Sequence, residues 1–217
     1  MTGQELITEV EETLNDSSFT RERIKVYLNR AMRFLASKVY LERLSNGYAV
    51  VDTAVGEFSI PMPSDYFREL YSCKAEAGHE VKIYANLSDL RQNMGEIDLQ
   101  AGNIVGVCES GGKLYYQCVP SVSKKLCLMY YSTPPEIEDT EDSHPVEEIE
   151  TDLVESATRF LIAYASWLGF HLLEQGEAQQ PDIAFQQSLW LATLEDFTKG
   201  TGRGTPTRQA PVCRSNF

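Results

Sequence analysis

The sequence predicts an α+β protein: a four-helix bundle with an inserted antiparallel β sandwich or small barrel and a flexible C-terminal tail. Three observations carry that prediction. Thr20 to Leu44 repeats apolar residues at helical spacing, the period changes to that of strands between Tyr48 and Tyr131, and two more helical runs open at Pro145 and Pro181. Helices so far apart in sequence must meet around the insertion. The expected division is bundle helices over 1–45, the inserted antiparallel β domain over 46–135, an acidic linker with the C-terminal bundle helices over 136–200, and an extended arm over 201–217.

The first helix starts on a capping box, Thr2 with Glu5, and buries Leu6, Ile7, Val10 and Leu14 before ending near Asn15-Asp16. A tight link, Asp16-Ser17-Ser18, leads to the second, which Thr20 caps, with Glu22 in its first turn and Phe19 placed to pack on Ile24. Ile24, Leu28, Ala31, Leu35 and Val39 form its apolar stripe; Arg23, Lys25, Arg30 and Arg33 keep to the wet side. Its expected stop is Ser45-Asn46-Gly47, since Asn and Gly accept the left-handed conformation.

Seven short runs rich in β-branched and aromatic residues follow: 48–53, 57–60, 67–75, 80–84, 103–109, 113–119 and 125–131. Gly111-Gly112 is a two-residue hairpin turn. Closing it pairs Cys108 with Tyr115 and Val105 with Cys118, and puts Val105, Val107, Leu114, Tyr116 and Cys118 on one buried face. A disulfide between Cys108 and Cys118 is therefore not expected, and all five cysteines, with Cys73, Cys127 and Cys213, are expected as free thiols. A short helix, SDLRQNM, is expected between strands with Ser88 as its cap.

Residues 136–155 are acidic, and no Lys or Arg occurs between Lys125 and Arg159. The stretch is expected to be a solvated linker running into the acid-rich first turns of a helix; it lacks the alternate ligands and central glycine of a calcium loop. The helix opening at Pro145 carries Val146, Ile149, Leu153, Ala157, Phe160, Leu161, Tyr164, Leu168 and Leu172 and stops at Gly176. The last helix opens at Pro181, with Ile183, Phe185, Leu189, Leu191, Leu194 and Phe197 as its apolar set and Gly200 as its stop. The final stretch from Lys199, rich in Gly, Pro and Thr with four basic residues and no acid, is expected to be disordered when free: a dangling tail or a partner-binding arm.

The 217 residues suffice to bury a core without a metal or disulfide staple. A net charge of -13 argues against binding nucleic acid through phosphate contacts and against adhesion to anionic membrane. No apolar run is long enough to span a bilayer, and MTGQELITEV lacks the features of a signal peptide, so folding in a cytoplasm is expected. His79, His144 and His171 are scattered, with no metal-ligand spacing, and no nucleophile elbow, phosphate loop or dinucleotide fingerprint occurs. Neither catalytic residue, cofactor nor metal is expected.

Four stretches carry a family resemblance: YLNRAMRFLAS from Tyr27, with Leu28 and Asn29; Gly56 to Pro61 leading to Asp65, Tyr66, Phe67 and Arg68; LCLMYYSTPP, which holds Tyr130, Tyr131 and Pro134; and the Pro145 helix. In this order they resemble the head-to-tail adaptor (connector) proteins of tailed bacteriophages, and are similar to the tail tubular A-like adaptors of short-tailed phages. The family's corner is commonly Leu-Pro, whereas Ile60-Pro61-Met62-Pro63 stands here. The resemblance implies a non-enzymatic virion protein at the neck, assembled in the host cytoplasm. It implies a dodecameric ring under the portal vertex, with tail or nozzle proteins below and DNA passing through the centre. A C-terminal segment engages the portal in similar proteins, which points to Lys199, Arg203, Arg208, Arg214 and Phe217 here. Asn29 lies off the main apolar stripe and either caps a neighbouring loop or makes a subunit contact. Another neck or tail-completion protein is the alternative, and a tail-associated cell-wall or carbohydrate hydrolase a more distant one.

Overall fold

The computed structural model describes residues 1–39, 47–76, 78–95, 102–145, 154–172 and 180–201. Among them are five helices, α1 (Gly3–Leu14), α2 (Arg21–Lys38), α3 (Leu87–Met94), α4 (Val154–Leu172) and α5 (Gln180–Thr201). There are also seven strands, β1 (Gly47–Asp52), β2 (Ser59–Pro61), β3 (Tyr66–Ala75), β4 (Lys82–Tyr84), β5 (Gly106–Ser110), β6 (Lys113–Tyr116) and β7 (Lys125–Ser132). The chain is α+β, and it divides into two compact units, Met1–Leu44 with Pro134–Phe217, and Ser45–Thr133.

The helical unit begins on the Thr2 and Glu5 capping box: the Thr2 hydroxyl accepts from Glu5 N at 3.1 Å and Thr2 N donates to the Glu5 carboxylate at 2.8 Å. Asn15, left-handed at φ 46°, closes α1. Ser18 N then donates to Asp16 Oδ1 at 2.7 Å, and Thr20 caps α2. Leu6, Ile7 and Val10 meet Ile24, Leu28, Leu35, Phe160 and Leu161 in one core. Gly169 lets α1 approach α4 closely, because a Cβ there would lie 2.6 Å from Leu14 Cδ2.

Three helical expectations are corrected. Helix α2 stops at Lys38 rather than near Leu44: the Ser37 hydroxyl bonds back to the Phe34 carbonyl and β-branched Val39 turns extended (φ -120°, ψ 144°), buried in the core. Gly47 opens β1, and the rest of the expected stop lies outside the described residues. Helix α4 is observed from Val154; residues 146–153 and Gly176 lie outside the described residues. Gly200 does not end α5, which runs on to Thr201, because a glycine near a helix end is tolerated at modest cost. The face of α5 is the expected one only at Leu194, which packs on the core: Gln186, Trp190 and Thr193 are buried, Phe185, Leu189 and Leu191 are exposed, and the side chains of Ile183 and Phe197 lie outside the described residues.

In the second unit the strands form a three-stranded sheet, β1-β7-β3, and a four-stranded sheet, β2-β6-β5-β4. These two sheets replace the small-barrel alternative. Leu70, Leu126, Leu128 and Tyr130 of one share a core with Ile60, Val107, Leu114 and Tyr116 of the other. The expectation of wholly antiparallel strands is corrected at β4 and β5, which pair in parallel. Helix α3 between them supplies the crossover that a parallel pair requires. Asn86 rather than Ser88 caps that helix, its Oδ1 accepting from Asp89 N at 2.8 Å. The hairpin register holds at Cys108 opposite Tyr115, with Val107, Leu114 and Tyr116 buried. Val105, however, is exposed: β5 starts only at Gly106, because the Gln117 side-chain oxygen takes Val105 N at 3.2 Å and Gly106 N at 2.9 Å and ends the ladder. Cys73, Cys108, Cys118 and Cys127 are free thiols, and Cys213 lies outside the described residues.

Candidate functional site: a clasp on helix α2 and a tyrosine corner

The motif Tyr27-Leu28-Asn29 divides its labour. Tyr27 and Leu28 are buried in the helical core, Tyr27 edge-on to Phe19 with ring centroids 6.2 Å apart. Asn29 points along the segment that follows Pro134. Its Nδ2 donates to the Ile137 carbonyl at 3.1 Å and its Oδ1 accepts from Ile137 N at 2.8 Å, so one side chain satisfies both backbone groups of a residue outside any strand or helix. Ile137 itself is fully buried in the helical core, and Pro134 is buried at the start of the segment.

The same segment is held by charge, one residue per turn of α2 and running the opposite way. Arg33 meets Glu136 at 2.9 Å, Asn29 meets Ile137, Lys25 meets Glu138 at 3.2 Å, and Arg21 meets Asp139. Because 21, 25, 29 and 33 are four apart, they line one face of the helix. The Arg21 fork is bidentate, Nε to Oδ2 and Nη2 to Oδ1, both 2.7 Å, and its Nη1 also reaches Glu11 at 2.9 Å. The Arg21 hydrogen bond holds the Asp139 carboxyl below its usual range. Glu136 and Glu138 are exposed, as expected of a solvated linker, but over 136–139 the acids are also ion-paired to the basic stripe of α2. At the N-terminus, Gly3 N donates to the Ser143 carbonyl at 2.7 Å, and a Cβ on Gly3 would collide with the Glu138 carbonyl oxygen at 2.1 Å.

A second motif cluster lies in the β unit. Tyr130 Oη donates to Asp65 Oδ1 at 2.6 Å, and Thr133 N donates to the Asp65 carbonyl at 2.7 Å, so Asp65 ties the corner before β3 to the end of β7. Burial, then the Asp65 carboxylate, pushes the Tyr130 phenol well above its ordinary value. The ring of Tyr130 lies across Gly47, where a Cβ would stand 2.3 Å from Cε2. Tyr131 carries the Arg68 guanidinium over its ring at 4.8 Å and meets the tilted Tyr71 ring at 5.4 Å. Phe67 is half-buried where β3 slips register against β7, and Pro61 ends the edge strand β2, a position that needs no amide donor.

Of the residues expected to touch the portal, Lys199 lies on the last turns of α5, and Arg203, Arg208, Arg214 and Phe217 lie outside the described residues. Gln117 carries no sequence motif. It is buried and organises three backbone groups, its Nε2 donating to the Asn103 carbonyl at 2.6 Å, but nothing in its neighbourhood sets it apart as a sequence signal.

The β unit also holds a cleft of about 520 Å³ lined by His79, Asn103, Val105, Val122, Ser123 and Lys124. The Ser123 hydroxyl is committed to the Thr53 carbonyl and the Lys124 ammonium to Asn103. No group of three metal-ligating side chains occurs among the described residues, and no helix among them is long and apolar enough to cross a membrane.

The clasp and the corner each join segments that lie far apart in the chain. The family model of the SU10 adaptor proteins matches residues 1–212. The chain belongs to that family and is a bacteriophage adaptor, a structural component of the virion. No curated protein matches it.

Proposed function

We propose that this adaptor joins the portal vertex to the tail, forming a ring, of twelve copies by the resemblance to short-tailed phage adaptors, that surrounds the DNA exit channel at the virion neck. The family match from residue 1 to residue 212 carries the reading, since it spans both units. The acidic balance supports it: with a net charge of -13, a channel wall repels phosphate and lets DNA pass without sticking. Tail or nozzle proteins bind below the ring. Above it, Lys199, Arg203, Arg208, Arg214 and Phe217 form the arm that engages the portal, with ion pairs and buried aromatic area offsetting the entropy lost on docking.

Native mass spectrometry of the protein, mixed with the portal protein of the same genome, tests the reading. A full ring of copies on the portal is the expected result. A protein that stays free of the portal at high concentration and low salt overturns the portal contact. Removing the residues after Gly200 is expected to abolish portal binding while leaving the thermal melt intact, and undiminished binding would refute the role of the arm.

A further inference from the structure

Helix α5 leaves several large apolar side chains outside the core. Its inward positions are Trp190 and Leu194 with two polar residues, Gln186 and Thr193, each 8% exposed, whereas Phe185 is 61%, Leu191 46% and Leu189 38% exposed. Phe185 and Leu189, four residues apart, form one continuous outward stripe. The stretch from Ile183 to Leu194 contains no charged side chain, although charged residues make up 24% of the chain. An apolar patch this free of charge on a strongly acidic protein is the mark of a covered surface.

We infer that the outward face of α5, centred on Phe185 and Leu189, is covered by a second copy of this chain. Charge selects that occupant. A partner of different sequence can offer Lys and Arg to an acidic surface, so its contact needs no neutral face. A second copy brings another -13, and two like-charged bodies approach most cheaply where neither presents carboxylates. Twelve helical residues span about 18 Å. One such face falls short of the roughly 800 Å² per partner that a stable interface buries, so it must act with other contacts. A ring, where every copy meets two neighbours, provides them. The inference therefore rests on the ring proposed above and names one of its contact surfaces.

Native mass spectrometry of the full chain, alone and with the portal protein, tests it against two variants. Phe185→Gln with Leu189→Gln removes the apolar stripe; Ser188→Glu leaves that stripe in place and puts a carboxylate on the exposed face beside it. The wild type is expected to assemble, and each variant to need at least tenfold more protein for the same assembly, with an unchanged thermal melt. If the double variant melts early, Ser188→Glu decides alone. Variants that assemble like the wild type overturn the inference and leave the ring standing. A wild type that stays monomeric alone also overturns it, and the portal mixture then judges the ring separately.

Discussion

Asn29 and Ile137, 108 positions apart in the chain, are joined by two hydrogen bonds through one side-chain amide, as neighbouring strands are joined by their backbones. The pairing fixes the segment after Pro134 to α2 where no sheet is available. Replacing Asn29 with Ala strips both partners from Ile137 and is expected to cost about 2 kcal/mol, the order of the penalty for part-buried polar groups left unpaired. Asn29→Asp keeps the acceptor but loses the donor, so it should fall between Ala and wild type. Urea midpoints of the three proteins check the order.

Acid should loosen the clasp. Asp139 has a folded pKa below its ordinary 3.8, with the Arg21 hydrogen bond as the main cause, so its stabilising contribution is present above 3.8 and lost as pH falls through the depressed folded value. In Arg21→Ala the carboxyl returns toward its ordinary value and this part of the acid limb disappears. Urea midpoints measured from pH 6 down to pH 2 should converge for the two proteins at the acid end. Arg21→Lys, which keeps charge without the fork, should recover only part of the difference, since the pair is partly exposed.

At the tyrosine corner, shape should outweigh the hydrogen bond. Tyr130→Phe keeps the ring over Gly47 and loses the bond to the partly solvated Asp65, an expected loss of about 1 kcal/mol. Gly47→Ala drives a methyl into that ring and is expected to cost about 2 kcal/mol, as overpacking does. Equal melting temperatures for the two variants would contradict this ranking.

The buried thiols predict an alkaline limb. Burial pushes Cys73 up to about 12 and Cys108 up to about 11, from an ordinary 9.0. The folded protein holds both protonated while the unfolded chain ionises them above 9.0, so their contribution is full below pH 9 and is lost as pH rises toward 11 and 12. Replacing Cys73 with Val should make the urea midpoint fall less between pH 8 and pH 10.5. Iodoacetamide at pH 8, read by peptide mass mapping, should modify half-buried Cys127 in the native protein before Cys73, Cys108 or Cys118.

Much of the fold was legible because its signals are local. The Thr2 box, the Thr20 cap and the Gly111-Gly112 turn each depend on residues a few positions apart, and the period of apolar residues separates helix from strand within one window. The local signal misled at α3, where Ser88 is the expected cap but Asn86, two positions earlier, reaches the third amide of the helix. The family motifs were legible too, but Asn29, Asp65 and Tyr130 were positions without partners until the chain folded.

The sequence by itself determined the class, the order of the elements, the Thr2 and Thr20 caps and the two changes of period, since each is set by neighbours along the chain. Only the tertiary structure decided what 136–139 does, which way α5 faces, and that β4 and β5 run parallel. Pairing across 108 residues, or the choice between two apolar faces of one helix, depends on which surfaces meet in space. Local spacing carries no record of that meeting.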